Sequence, residues 1–144
     1  MAHLELSIQD LTLAQPQGSL DLWAFSVRTA AEPCIMLNSH GVVVAASPGC
    51  AELFGIDVDD LIQRRLVNGV MRLLDFSARR GVLPESEVEK IPPLLALRSG
   101  SLARGLMRVA VVNSPATTVD AVSIPLRDRS AVVGSLTFFA PVGS

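Results

Sequence analysis

Residues 42–61 read VVVAASPGCAELFGIDVDDL, and their order dictates a strand running into two short helices. Val42, Val43 and Val44 are β-branched and suit a pleated surface. Ser47 offers a hydroxyl at a helix N-cap, and Pro48 fits the first helical position, where its missing N–H is no loss. Cys50, Ala51, Leu53 and Phe54 supply the buried side of the helix that follows. Gly55 stands where a helix end wants a residue tolerant of positive φ. Asp57 can cap the next helix, with Asp59 and Asp60 placed against its positive end. Leu61 and Ile62 then turn inward.

This order resembles a PAS domain, in which a strand hairpin leads into helices through an A…LFG…(D/E)DL(I/L)G stretch. Ala51, Leu53, Phe54, Gly55, Asp60, Leu61 and Ile62 carry the match. Two positions depart from it: Ser47 stands where many members have Asn, and Gln63 where many have Gly. The resemblance extends over residues 32–141. It implies an α+β fold, with a five-stranded antiparallel sheet in the order 2-1-5-4-3. Short helices would cover one face of that sheet and an N-terminal helix the other.

The flanking sequence fits that frame. Before the motif, a helix over 19–31 places Leu20, Trp23, Val27 and Ala30 or Ala31 on one stripe. Leu22 and Phe25 lie off it, so the helix has more apolar surface than one face needs. Glu32-Pro33 ends it, residues 34–37 read as a first strand, and Asn38-Ser39-His40-Gly41 as its hairpin turn. After the motif, Leu66, Val67, Val70, Met71, Leu73 and Leu74 predict a helix over 64–76, in one piece or broken in two at Asn68-Gly69, and closed by Gly81. Pro93 can open a further helix in which Leu94, Leu95 and Leu97 bury and which Gly100 closes. Three Val-rich strands follow, over 106–112, 117–126 and 131–140, separated by Asn113-Ser114-Pro115 and by Arg127-Asp128-Arg129-Ser130. Leu136 and Phe138 point to one face of the last strand, Thr137 and Phe139 to the other. Apolar residues on both faces require that both be covered.

The chain thus divides into an arm (1–18), a capping and dimerisation helix (19–31), the PAS-like domain (32–141) and a tail (142–144). Leu4, Leu6 and Ile8 alternate with polar residues in the arm, as in a short strand. The length of 144 residues suits one domain, and the high mean hydropathy of +0.43 implies either a surface buried by a partner or a sheet covered on both faces. No apolar run nears the ~20 residues of a membrane span, and no basic region precedes an apolar core at the N-terminus. The net charge of −2 and the scattered arginines leave no nucleic-acid footprint. Two cysteines are too few for a disulfide framework; as buried free thiols they suit a reducing, cytoplasmic setting.

No catalytic set and no metal site is expected. The two histidines lie in the first 40 residues, and His40 sits in a turn. Asp57, Asp59 and Asp60 are explained by capping. The only lysine is Lys90, so no phosphate loop is present. The resemblance implies a sensory or interaction module of signal transduction or transcription regulation. It would bind a small molecule or a partner protein and signal through a homodimer. Strand and helix phases place Met36, Leu53, Phe54, Val70, Leu74, Leu97 and Leu106 around a ligand pocket, and Leu20, Leu22, Trp23 and Val27 at a dimer interface. The Asn-Cys-Arg-Phe stretch of the covalent-flavin class is missing, and residues 85–100 hold no His, which argues against covalent flavin and haem. A ligand-free dimerisation module and a GAF-like small-molecule sensor are the alternatives. No coiled-coil heptad or catalytic segment follows the last strand, so an excised domain, or one that acts by binding another protein, is expected.

Overall fold

A computed structural model describes residues 19–67, 71–74, 84–111 and 115–142. Helix α1 (Ser19–Thr29) leads into the hairpin β1 (Cys34–Asn38) and β2 (Val43–Ala46). Short helices α2 (Pro48–Phe54) and α3 (Val58–Leu61) follow, then strand β3 (Met71–Leu74). Helices α4 (Glu85–Val88) and α5 (Pro92–Ser99) precede the long strands β4 (Ala103–Val111), β5 (Thr117–Asp128) and β6 (Ala131–Pro141). The sheet order is β2-β1-β6-β5-β4-β3, and every pairing is antiparallel. The C-terminal strands therefore lie beside the first hairpin in the expected order, with one strand added at the far edge.

That added strand replaces part of the helix expected over 64–76. The chain instead turns at Gln63 and runs back along β2, with Gln63 N donating to the Val43 carbonyl at 2.8 Å and Val43 N to the Arg64 carbonyl at 2.8 Å. Gln63, at the position where the resemblance expects Gly, takes a left-handed φ of +71°, which glycine adopts without steric cost. Beyond it, Met71–Leu74 pairs with Arg108–Val111 of β4. Leu73 is buried and Arg72 exposed, the alternation of a strand. The four ladder positions on β4 outweigh a helical spacing that Asn68-Gly69 already interrupts. The arm over 1–18, the Gly81 cap and the Asn113 turn lie outside the described residues.

Local signals elsewhere hold. The Ser47 side chain caps α2 by accepting from Cys50 N, and Gly55 ends that helix at φ 68°. Asp57 occupies the N-cap of α3, but its side chain makes no capping bond. In α5 both prolines sit in the first turn, and the buried face is Pro92, Pro93 and Ala96, whereas Leu95 stays 39% exposed. The fixed φ of the prolines suits the first helical turn, and their rings are buried where the helix meets Gly105 of β4 and Ser135 of β6.

The sheet separates two apolar clusters. Ile35, Leu37, Met107, Val109, Val119, Ala121 and Phe139 face the short helices and meet Cys50, Phe54, Leu61 and Ile91. Cys34, Met36, Ala45, Leu126 and Leu136 face the other way and meet Ala24 and Val27 of α1. The inner face also holds a buried hydroxyl pair, Ser123 Oγ with Thr137 Oγ1 at 2.6 Å, and the Ser135 hydroxyl donates to the Pro93 carbonyl at 3.0 Å. Each hydroxyl thereby meets the partner that burial demands.

Candidate functional site

The residues expected around a pocket are divided by the fold. Phe54 lies in the inner cluster, edge to face with Phe139 at a centroid distance of 5.2 Å, and Leu53 and Leu97 pack on the same cluster. Met36 belongs to the opposite face, beneath α1. Leu106 points outward and is 55% exposed. Val70 lies outside the described residues. Leu74 and Leu106 line a cleft of about 180 Å³ where β3 and β4 meet the turn between α4 and α5. Its floor is Leu73, Met107, Ile91, Pro92 and Gly105; its rim carries Glu87, Lys90, Arg104 and Arg108. Lys90 Nζ pairs with Glu87 Oε2 at 2.9 Å, and Arg104 Nη2 with Asp120 Oδ2 at 2.6 Å. The Arg104 guanidinium holds the Asp120 carboxyl below its usual range, chiefly through that hydrogen bond. Cavities that enclose a drug-sized ligand measure roughly 300–1,000 Å³, so this cleft suits a small fragment.

A second constellation joins the two faces. Ser47 is fully buried, and its Oγ holds backbone from three places. It donates to the Glu32 carbonyl at 2.7 Å. It accepts from Cys34 N at 2.9 Å and from Cys50 N at 3.1 Å. The Ser47 amide adds a bond to the Cys34 carbonyl at 3.0 Å. Next to it, a methyl on Gly49 would fall 2.7 Å from the Ala31 carbonyl oxygen and 3.0 Å from Pro33 N. Only glycine lets α2 lie this close to the link between α1 and β1. The link 31–33 is therefore gripped by the first turn of α2, whose Cys50 and Phe54 reach into the inner cluster.

Both thiols belong to this joint. Burial pushes the Cys50 thiol up to about 12, with a smaller contribution from Cys34. Burial also raises Cys34, against the opposing hydrogen bond to Ser47. Both are free and buried, hence protonated and inert at neutral pH.

Helix α1 covers part of the outer face. Leu20, Ala24, Val27 and Ala30 pack on Met36, Ala45, Leu126 and Leu136. Of the four residues expected at an interface, Val27 is 2% exposed and held by its own sheet, and Leu20 packs there too. Trp23 is 39% exposed, and Leu22 is partly exposed. Phe25, absent from that set, is 58% exposed. Its position off the inward stripe was the signal. Farther along the outer face, Phe138 is 40% exposed. Among the described residues no helix is long and apolar enough to cross a membrane.

No protein-family model matches the sequence. No curated protein matches it either. Solved structures do. The PAS domain of the fruit-fly ELK potassium channel superposes with a TM-score of 0.64 at 14% identity, over 87% of this chain and 98% of that one. A PAS domain from Colwellia psychrerythraea gives 0.61 at 13% identity, over 85% and 96%. The PAS domain of the nitrogen regulation protein NR(II) from Vibrio parahaemolyticus gives 0.56 at 13% identity, over 84% and 98%.

Proposed function

Given that the chain has the PAS fold, we propose that it is a sensory or interaction module of signal transduction, acting by binding rather than catalysis. A small molecule or partner protein engages the helical layer or the cleft beside β4. The response leaves through α1 to a second copy of the chain, or to an output partner that serves signal transduction or transcription regulation. The buried free thiols suit a cytoplasmic setting.

The observation that carries this reading is the joint at Ser47 and Gly49. Apolar contacts hold α1 on the sheet, and such contacts tolerate sliding. The link 31–33 is held instead by directional bonds and a close approach to α2. A displacement of α2 therefore reaches the C-terminal end of α1 before it is lost in the sheet. Two arrangements of α1 that differ in their contact with α2 would be repopulated by whatever moves α2.

Trp23 is the single tryptophan and sits on α1, which makes its emission a built-in reporter. Phe54→Leu trims the inner cluster. It should shift Trp23 emission in the wild-type background and shift it much less when Ser47→Ala has cut the joint. Equal shifts in both backgrounds would overturn the reading. A ligand-free dimerisation module is the second reading, favoured by the Phe54–Phe139 contact, in which two large inner side chains pack on each other. Native mass spectrometry that finds a retained small molecule would count against it.

A further inference from the structure

We propose that the outward face of α1 pairs antiparallel with α1 of a second copy, crossing near Phe25. This rests on the homodimer reading above and assigns its geometry. Successive helical residues advance by about 100°. Leu20, Ala24 and Val27 face the sheet of the same chain. On the opposite side the same spacing aligns Leu22, Phe25 and Thr29, with Ser26 beside them. Phe25, Ser26 and Thr29 are exposed, and Leu22 is partly so.

Two features suit this stripe to another helix. First, its hydroxyls are turned inward on their own backbone: Ser26 Oγ donates to the Leu22 carbonyl at 3.2 Å and Thr29 Oγ1 to the Phe25 carbonyl at 3.1 Å. They offer a partner small, hydrogen-bond-satisfied surface around two larger apolar side chains, as a close helix crossing requires. Second, Asp21 and Arg28 are seven residues apart, so both lie on one flank of the stripe, one near each end of the helix. A two-fold axis perpendicular to two antiparallel helices brings that same flank of each together. Asp21 then meets Arg28 of the other copy, twice over. In a parallel pair the two-fold axis runs along the helices and sets that flank of each copy on opposite sides, so neither Asp21 nor Arg28 meets a charge of the other copy. The charges thus select both the partner and the direction. They also suit the helix dipole, but the dipole fixes only the end of the helix on which each stands, not the shared flank.

A face of this length is small among interfaces, so the pair should be weak and concentration-dependent. Sedimentation velocity on the full chain, from roughly 1 µM to 1 mM, covers the range in which such a pair forms. Wild type should self-associate. Phe25→Glu should abolish association over this range. Asp21→Arg and Arg28→Asp should each weaken it about tenfold, because both symmetric ion pairs become repulsive. An equimolar mixture of these two single variants should associate as well as wild type or better, since each supplies the charges the other lacks. Circular dichroism of each variant should match wild type, the three side chains being exposed. Association that all three substitutions leave unchanged would overturn this face and leave the homodimer reading standing. Weakened single variants whose mixture stays weak would overturn the antiparallel geometry. A wild type that stays monomeric throughout would overturn both.

Discussion

Ser47→Ala removes one oxygen and tests the joint directly. Cys50 N keeps a second acceptor, the Ser47 carbonyl at 3.1 Å, and the exposed Glu32 residue lets its carbonyl turn toward water. Cys34 N has no such alternative among its described hydrogen bonds: Ser47 Oγ at 2.9 Å is its acceptor, and Cys34 is buried. An orphaned buried N–H costs about 1–3 kcal/mol, and the loss of an N-cap about 1 kcal/mol. The sum is about 2–4 kcal/mol. Equilibrium urea unfolding with Trp23 emission and far-UV circular dichroism should show the midpoint falling by roughly 1–2.5 M, for a slope of about 1.5–2 kcal/mol/M. The slope itself should not change, since the same surface unfolds. A loss under about 0.5 kcal/mol would refute the reasoning, because it would mean that water or a shifted backbone replaces Ser47 freely.

Three further outcomes follow from particular contacts. Gln63→Gly relieves a left-handed residue while keeping its backbone bond to Val43, and should raise the melting temperature by about 1–4 °C; an unchanged or lower value would contradict the strain assigned to φ +71°. Gly134→Ala would set a methyl 2.4 Å from the Leu37 carbonyl and 3.2 Å from Leu20 Cδ2, and should cost about 1–3 kcal/mol in urea unfolding; a neutral result would contradict the close approach of β6 to β1 beneath α1. The two thiols should resist a disulfide exchange reagent in the folded protein at mildly alkaline pH and react fully in denaturant. Because folding raises the Cys50 thiol to about 12, its contribution to stability is complete below the ordinary thiol range. It fades as pH climbs through that range toward the folded value, so unfolding midpoints should fall with alkalinity, and less so in Cys50→Ala.

Most of the fold was legible because its signals are local. Ser47, Pro48 and Gly55 fix the start and end of α2 by cap chemistry, which needs no tertiary knowledge. The alternation in β6 likewise divided Thr137 and Phe139 from Leu136 and Phe138, and the structure turns the first pair toward the helical layer and the second toward α1 and solvent. Three readings failed where the deciding partner was distant in sequence. Met71–Leu74 is a strand because β4 offers a ladder to it, and only the pairing breaks the tie between spacings. Cys34 to Leu37 are all apolar, so nothing marked which pair faces inward; the structure gives Ile35 and Leu37 to the helices and Met36 to α1. Leu95 is expected to bury from its place among leucines, yet α5 meets the sheet along Pro92, Pro93 and Ala96 instead. The surplus apolar surface of α1 was visible, but the exposure of Phe25 depends on where the sheet takes hold of the helix.

Native-state hydrogen exchange over a urea series tests most directly whether α1 and α2 form one cooperative unit. If the Ser47 grip binds them, amides of the second half of α1 and the inner amides of α2 should open with the same free energy and the same urea dependence. Exchange from α1 at near-zero opening energy, with α2 still protected, would show that the outer helix moves independently of the inner layer.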